Sequence, residues 1–212
     1  IELNNNSLEK IKIKLLNINN QKDYYNSLTN EWTAENKILS KNFNKYTNYE
    51  VDEIFNNKNL LFEEKMMLSD FITYLTDDIL CKVDRASMHN SIESRSPFLD
   101  HKVVERSWEF PLSSKISNNI GKVILREILD DFVPKQLLSN TKSGFGLPID
   151  ELLRTTLKPF VEDMILSSHK SENLINMGKF KNLWDMHKSR KKNLGEKLWP
   201  IIVFKQWSQN NL

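Results

Sequence analysis

YLTDDILCKVDRASMHNSIESRSPFLDHKVVE, residues 74–105, is the stretch on which the fold of this chain is decided. Around its first half, from residue 64 to residue 91, the apolar positions Met67, Phe71, Leu75, Ile79, Leu80 and Val83 step by three or four with charge on the other face. That spacing predicts one long helix or two abutting ones. Pro97 interrupts the pattern, and Asp100 then stands at an N-cap position ahead of Val103, Val104 and Trp108, with Pro111 closing a short helix. Further along, Ile124, Leu125, Ile128, Leu129 and Phe132 form one stripe between the breakers Gly121 and Pro134. Residues 151–166 and 198–207 repeat the helical pattern, the latter through Trp199, Ile202, Val203 and Trp207, with Pro200 tolerable in a first turn. No convincing strand ladder is visible, so the expected fold class is mostly α.

The 212 residues can form one sizeable domain or two small ones, and 39% hydrophobic content is enough to bury a core. Thirty basic and 28 acidic residues spread along the chain leave a net charge of only +2, which argues against nucleic acid or a membrane surface as partner. The single cysteine, Cys81, rules out an internal disulfide framework and fits a reducing, cytoplasmic setting. No stretch approaches the length of a membrane span, and the amino end lacks the layout of a signal peptide. The first residue, Ile1, is compatible with a piece of a longer protein, with tag removal or with terminal disorder. Fifteen of the 25 asparagines fall within the first 60 residues, interleaved with Ile11, Leu15, Leu28, Trp32 and Phe43, which reflects coding bias better than a prion-like tract.

Three segments can carry chemistry. In Asn140-Thr141-Lys142-Ser143-Gly144-Phe145-Gly146-Leu147-Pro148 a lysine stands beside two of the chain's five glycines, so backbone N–H groups and an ammonium can face one anion. From composition alone, an ordinary interhelical loop with a solvated lysine is the better reading. In Asp77-Asp78-Ile79-Leu80-Cys81-Lys82-Val83-Asp84-Arg85, Asp77 and Asp84 share a helix face and Asp78 can pair with Lys82. A carboxylate there can deprotonate an amine or hold magnesium, although a surface ion-pair set is the commoner arrangement. In Glu93-Ser94-Arg95-Ser96-Pro97 the proline forces extended backbone, so Glu93 and Arg95 point the same way, as an ion pair or as a site for a charged amino acid. The histidines His89, His101, His169 and His187 show no metal-ligand spacing and are read as structural, with no metal site expected. The basic run from His187 to Lys192 reads as a solvated loop before a phosphate contact.

Taken in order, residues 74–105, GKVILREIL (121–129), VPKQLLSNTKSGFGLPIDELL (133–153) and LWPIIVFKQW (198–207) resemble the C-terminal part of the synthetase domain of the asparagine synthetase (glutamine-hydrolysing) family. The match is specific over residues 68–207, while residues 1–60 form a weakly matched helical lead-in. The resemblance implies a single helical fragment, residues 1–212, of an α/β ATP-pyrophosphatase (adenine nucleotide alpha hydrolase-like) domain whose parallel sheet and nucleotide loop lie upstream. It implies an enzyme that adenylates the side-chain carboxylate of aspartate with ATP and magnesium, releases pyrophosphate, and lets ammonia from an N-terminal glutaminase domain attack. Lys142 matches the family's catalytic lysine, whose ammonium offsets charge developing on the phosphorus and acyl oxygens. With Gly144 and Gly146 it would hold phosphate. Asp78 lies near the carboxylate that helps deprotonate the attacking amine. Asp84, Arg85, Glu93 and Arg95 sit in the most recognisable stretch, where shaping the amino-acid pocket and core ion pairing both stay open. Asp100 most simply caps a helix.

The chain departs from the family in lacking a Ser-Gly-Gly-x-Asp-Ser loop for ATP, a Ser-Gly-Glu-Gly-x-Asp segment for magnesium and a glutaminase cysteine. The fragment alone is therefore expected to be inactive, to need the upstream sheet and glutaminase domain as partners, and to expose apolar surface through which it can associate, for instance as a homodimer. Two alternatives remain at this stage: a relative acting on another carboxylate in a polysaccharide or peptide pathway, and a helical interaction module without chemistry.

Overall fold

The computed structural model describes residues 18–30, 32, 38–40, 48–134, 137, 146–166 and 174–211. Along them run α1 (Gln21–Thr29), α2 (Tyr49–Asn56), α3 (Phe62–Asp70), a π-helical stretch (Phe71–Leu80), α4 (Cys81–His89), a 3-10 turn (Pro97–Leu99), α5 (His101–Glu109) and α6 (Leu112–Lys115). There follow β1 (Ile116–Ser117), β2 (Ile120–Gly121), α7 (Val123–Asp130), α8 (Ile149–Arg154), α9 (Lys158–Leu166), α10 (Met177–Lys188) and α11 (Gly195–Asn211). The fold is mostly helical, as the apolar periodicity required. It gathers into two compact units, one of residues 48–143 and one of residues 1–47 with 144–212.

In the unit of residues 48–143, the Asn48 side chain accepts from the Val51 N–H at 3.2 Å and starts α2. The buried Lys65 of α3 donates to Phe55 O at 3.0 Å, placing a cation at the carboxyl end of α2. From Phe62 to His89 the chain then stays helical, as predicted, but its middle is wound one residue wider over Phe71–Leu80. Such i→i+5 winding is rare and recurs at functional sites. A small ladder that the sequence reading missed joins Ile116 to Gly121 and Ser117 to Ile120. Asn118 and Asn119 make its turn with φ of 51° and 63°, the left-handed geometry that a two-residue hairpin demands and asparagine tolerates. The stripe that predicted α7 is correct in period, yet Ile128 is 51% and Phe132 79% exposed. Ile124, Leu125 and Ile128 line an open apolar groove of about 860 Å³ with Phe71, Val103 and Trp108. Of the buried apolar residues described, Val51 alone belongs to this unit.

The other unit holds the core. Leu153 of α8, Val161 and Met164 of α9, Phe180 and Trp184 of α10, and Leu198, Ile201 and Ile202 of α11 pack together with Ile175 and Leu194. The segment expected as one helix over 151–166 breaks at Thr155, where the Leu157 N–H reaches back to Leu152 O at 2.8 Å. Antiparallel pairing of Leu39 with Ile175 and a hydrogen bond from Trp32 Nε1 to Lys197 O at 3.2 Å attach the early residues. Helix α11 begins at Gly195, earlier than predicted, because Leu194 O already accepts from the N–H groups of Lys197 and Leu198. Its buried face is Leu198, Ile201, Ile202, Lys205 and Ser208, so Trp199 and Trp207 of the expected stripe lie outward and Pro200 falls past the first turn. Buried Lys205 donates to Met164 O near the carboxyl end of α9, the end that favours a cation.

Gly195 is pressed against the start of α8: its N–H donates to Asp150 Oδ1 at 2.8 Å. A Cβ at residue 195 would sit 2.7 Å from that oxygen, 2.9 Å from Ile149 Cγ2 and 3.1 Å from the Asp150 nitrogen. Gly195→Ala is therefore expected to destabilise the protein by about 1–3 kcal/mol, the usual cost of an overpacked contact. Urea unfolding of the two proteins checks this, and equal midpoints would mean that the α8–α11 approach is looser than described.

Candidate functional site

The site is built by the way α4 ends. The Ser91 N–H donates to Met88 O at 2.9 Å and the Ile92 N–H to Ser87 O at 3.0 Å, the paired bonds that close a helix through a left-handed residue. That residue is Ser91, with φ of 58°. The turn leads into residues 92–96, which belong to no helix or strand and end on an extended Ser96, and Pro97 opens the 3-10 turn that delivers Asp100. Asp100 Oδ1 accepts from the Lys102 N–H at 2.9 Å, so the expected cap of α5 is present.

Between these segments lies a cavity of about 510 Å³ lined by Leu80, Val83, Asp84, Ser94, Arg95, Ser96, Pro97, Leu99 and Asp100. Two of the four residues read from the sequence as amino-acid contacts, Asp84 and Arg95, thus share one wall system. Glu93 meets Arg95 at 3.0 Å but does not line the cavity. The two side chains meet on one side of the segment, as anticipated. Arg85 is exposed and outside the cavity lining. Asp78 lies in the π-helical stretch and pairs with Lys82 at 3.7 Å, an exposed i,i+4 contact of small energetic weight. Sequence reasoning did not single out Ser94 or Ser96 as contacts, and gave Asp100 only its capping role.

Lys142 and Gly144 lie outside the described residues. Gly146, which is described, is exposed and without a left-handed φ, and a Cβ there would meet nothing within 4 Å among the described residues. Among the described residues, neither packing nor backbone conformation requires glycine at this position. Among the described residues no three of His, Cys, Asp and Glu gather as metal ligands. Two carboxylates on one cavity do not make a magnesium site by themselves, since this ion prefers octahedral oxygen coordination.

Two histidines of the described set are exposed, but His187 is fully buried. The basic run that begins with it is therefore only partly a solvated loop. His187 and Lys188 form the last turn of α10, Lys188 pairs with Glu162 at 3.2 Å, and Arg190 pairs with Glu151 at 3.1 Å. No described helix is long and apolar enough to cross a membrane.

The asparagine synthase family matches residues 5–209 of the chain. Asparagine synthetase [glutamine-hydrolyzing] 1 of Bacillus subtilis (strain 168) is 29% identical over 179 residues, which cover 83% of this chain and 28% of that enzyme. Asparagine synthetase [glutamine-hydrolyzing] 3 of the same organism is 34% identical over 126 residues, 59% of this chain and 18% of that enzyme. The chain thus spans less than a third of the length of these relatives. No solved structure matches at a significant level. With a family match running over nearly all of its residues, this chain belongs to the asparagine synthase family.

Proposed function

We propose that this chain supplies the helical part of the synthetase domain of an ATP-dependent ligase that converts aspartate to asparagine with glutamine or ammonia, yielding AMP and pyrophosphate. The observation that carries the reading is the cavity joining Asp84 and Arg95, formed within the stretch that best resembles the family. Arg95 would orient the amino-acid substrate, and Lys142, with Gly144 and Gly146, would hold the phosphates of ATP. ATP supplies the leaving group; binding, orientation and charge compensation fall to these side chains. Magnesium would be held by carboxylates outside this sequence.

In this reading the partners are a nucleotide-binding parallel sheet and a glutaminase domain of the same protein, working in the cytoplasm. The apolar groove beside α7 supports a packing partner, because an open apolar face of this size is seldom left in water. Alone, the chain would not turn over ATP.

The test is amino-acid-dependent release of pyrophosphate from ATP by the natural protein that contains this chain. Release that requires aspartate, with ammonia or glutamine completing the reaction to asparagine, is the expected result. Release that requires a different carboxylate would replace aspartate as the substrate. Absence of release with every acid supplied would overturn the enzymatic reading in favour of a helical scaffold.

A further inference from the structure

His187 is a fully buried titratable side chain to which the ligase reading gives no task. Its ring lies against the start of α8, just past a loop end made of Gly146, Leu147 and Pro148. These three residues are exposed. Pro148, with φ of −73° and ψ of 62°, makes a tight inverse γ-turn in which the Ile149 N–H donates to Leu147 O at 2.7 Å. Through this turn the loop end follows the first turn of α8. Asp150 ties that first turn to α10 and α11: its carbonyl accepts from His187 Nε2 at 3.2 Å, and its Oδ1 accepts from the Gly195 N–H at 2.8 Å. The same Oδ1 stands 3.6 Å from His187 Nδ1, which in the neutral ring accepts the Leu194 N–H at 3.1 Å. A second proton on the ring has only Nδ1 to occupy. There it ends the bond from Leu194, sets two N–H groups facing each other, and makes the Asp150 carboxylate the partner of a cation. Oδ1 must then share or leave the Gly195 N–H.

We infer that His187 and Asp150 form a proton-operated latch that positions the exposed segment 146–148 at the head of α8, set while the ring is neutral and displaced when Nδ1 is protonated. The inference deepens the ligase reading and rests on it for the effect on turnover, though not for the latch itself. In that reading Gly146 helps hold the phosphates of ATP, so Asp150 and His187 are positioning residues that touch no substrate. Burial opposes the second proton, and so does Arg154, while Asp150, through its charge and its carbonyl, and Glu151 favour it. Among the described residues these three, all of α8, are the charged groups that bear on the ring. The turn before α11 presents it with the backbone N–H of Leu194, and its chain neighbours Lys188 and Arg190 are engaged by Glu162 and Glu151. Burial and Arg154 prevail, which puts the changeover on the acid side of 6.5.

Asp150→Asn isolates the latch, because an amide oxygen still accepts from Gly195 while the charge that receives the cation is gone. In the intact enzyme this variant is expected to keep its thermal midpoint and its rate of pyrophosphate release near pH 8. The wild-type kcat/KM for ATP should fall on the acid side, by about tenfold per pH unit below the midpoint. That midpoint should move about one unit lower in Asp150→Asn, and this acid limb should be missing in His187→Gln. The latch is read without turnover by hydrogen–deuterium exchange of the intact protein at pH 8 and 5.5, corrected for the pH dependence of exchange itself. Wild-type peptides covering residues 146–152 and 194–195 should lose protection at the lower pH, and those of both variants much less. Acid-induced loss that Asp150→Asn suppresses supports the proposal even if His187→Gln does not fold. Equal protection at the two pH values in the wild type, or the same loss in every protein that folds, overturns it. Amino-acid-dependent pyrophosphate release with one and the same acid limb in wild type and variants would leave the ligase reading standing and remove this one. Acid-induced opening that needs Asp150, in a protein without such release, would do the reverse.

Discussion

Replacing Lys142 with alanine is expected to lower aspartate-dependent pyrophosphate release by the intact enzyme about 100-fold or more, with the loss in kcat rather than in the KM for aspartate. The argument starts from charge. Transfer of the adenylyl group to a carboxylate, and attack of an amine on the acyl group, both build negative charge on oxygens that carry less of it in the ground state. A fixed ammonium aimed at those oxygens lowers the barrier by more than it tightens binding, and removing one such contact typically costs about 10²–10³ in rate. Lys142 is the one lysine in a segment with two glycines within four residues, where backbone N–H groups can share the task. Lys142→Arg keeps the charge but spreads it over a planar fork, so only part of the activity should return. An alanine variant with undiminished turnover would leave the chain as a scaffold and transfer the chemistry to residues outside it. A thermal melt of the same variant shows whether lost turnover reflects lost fold.

Much of the fold was legible because helices announce themselves by period, and the period survives even where burial does not. Helix α7 is the clearest case: Leu125, Ile128, Leu129 and Phe132 repeat correctly, yet they stay partly or largely exposed, so the stripe encodes a face without naming what covers it. Helix α11 shows the opposite limit. From Leu198 to Phe204 its residues are apolar all round, and the choice between Trp199 and Leu198 as core was made by α8, α9 and α10, which no local pattern contains. The hairpin at Asn118-Asn119 was readable from turn chemistry, but asparagine is so common in this chain that the pair carried little contrast. The π-helical stretch changes hydrogen-bond register without changing residue type, so the sequence holds no plain signal for it.

The candidate site was legible in part for a similar reason. The expectation that Glu93 and Arg95 point to the same side before Pro97 is local, and the two side chains meet at 3.0 Å beside an extended Ser96. That Asp84 joins Arg95 while Arg85 does not depends on the turn at Ser91, a left-handed position taken by serine rather than by the glycine that usually marks it.

His187 presents the other large expected effect, on stability. It is fully buried, its Nδ1 accepts the Leu194 N–H at 3.1 Å, and its Nε2 reaches Asp150 O at 3.2 Å, which assigns the proton to Nε2 in the neutral ring. Arg154 Nε donates to His187 O at 3.0 Å and its Nη2 to Asn193 Oδ1 at 2.6 Å, so one joint ties α8 and α10 to the start of α11. His187→Ala would leave the buried Leu194 N–H without this acceptor, remove one hydrogen bond from the part-buried Asp150 carbonyl, and open a cavity beside Trp184, whose ring stacks on the imidazole 5.9 Å away. The expected loss is about 3 kcal/mol or more. Protonation attacks the same joint. Burial, and next the Arg154 guanidinium, hold the histidine below its ordinary value of 6.5, against the opposing pull of Asp150, its carbonyl and Glu151. In the unfolded chain the imidazole takes up its proton near 6.5, so as the pH falls below that value the unfolded state binds protons that the folded state refuses. The stability contributed by the neutral ring is complete above that value, declines as the pH falls toward the lowered folded value, and levels off below it. Denaturant unfolding at stepped pH values between 8 and 5 should show this decline in the wild type. It should be blunted in His187→Gln, whose amide can accept and donate but does not titrate. Parallel curves for the two proteins would mean that His187 carries the same proton occupancy folded and unfolded.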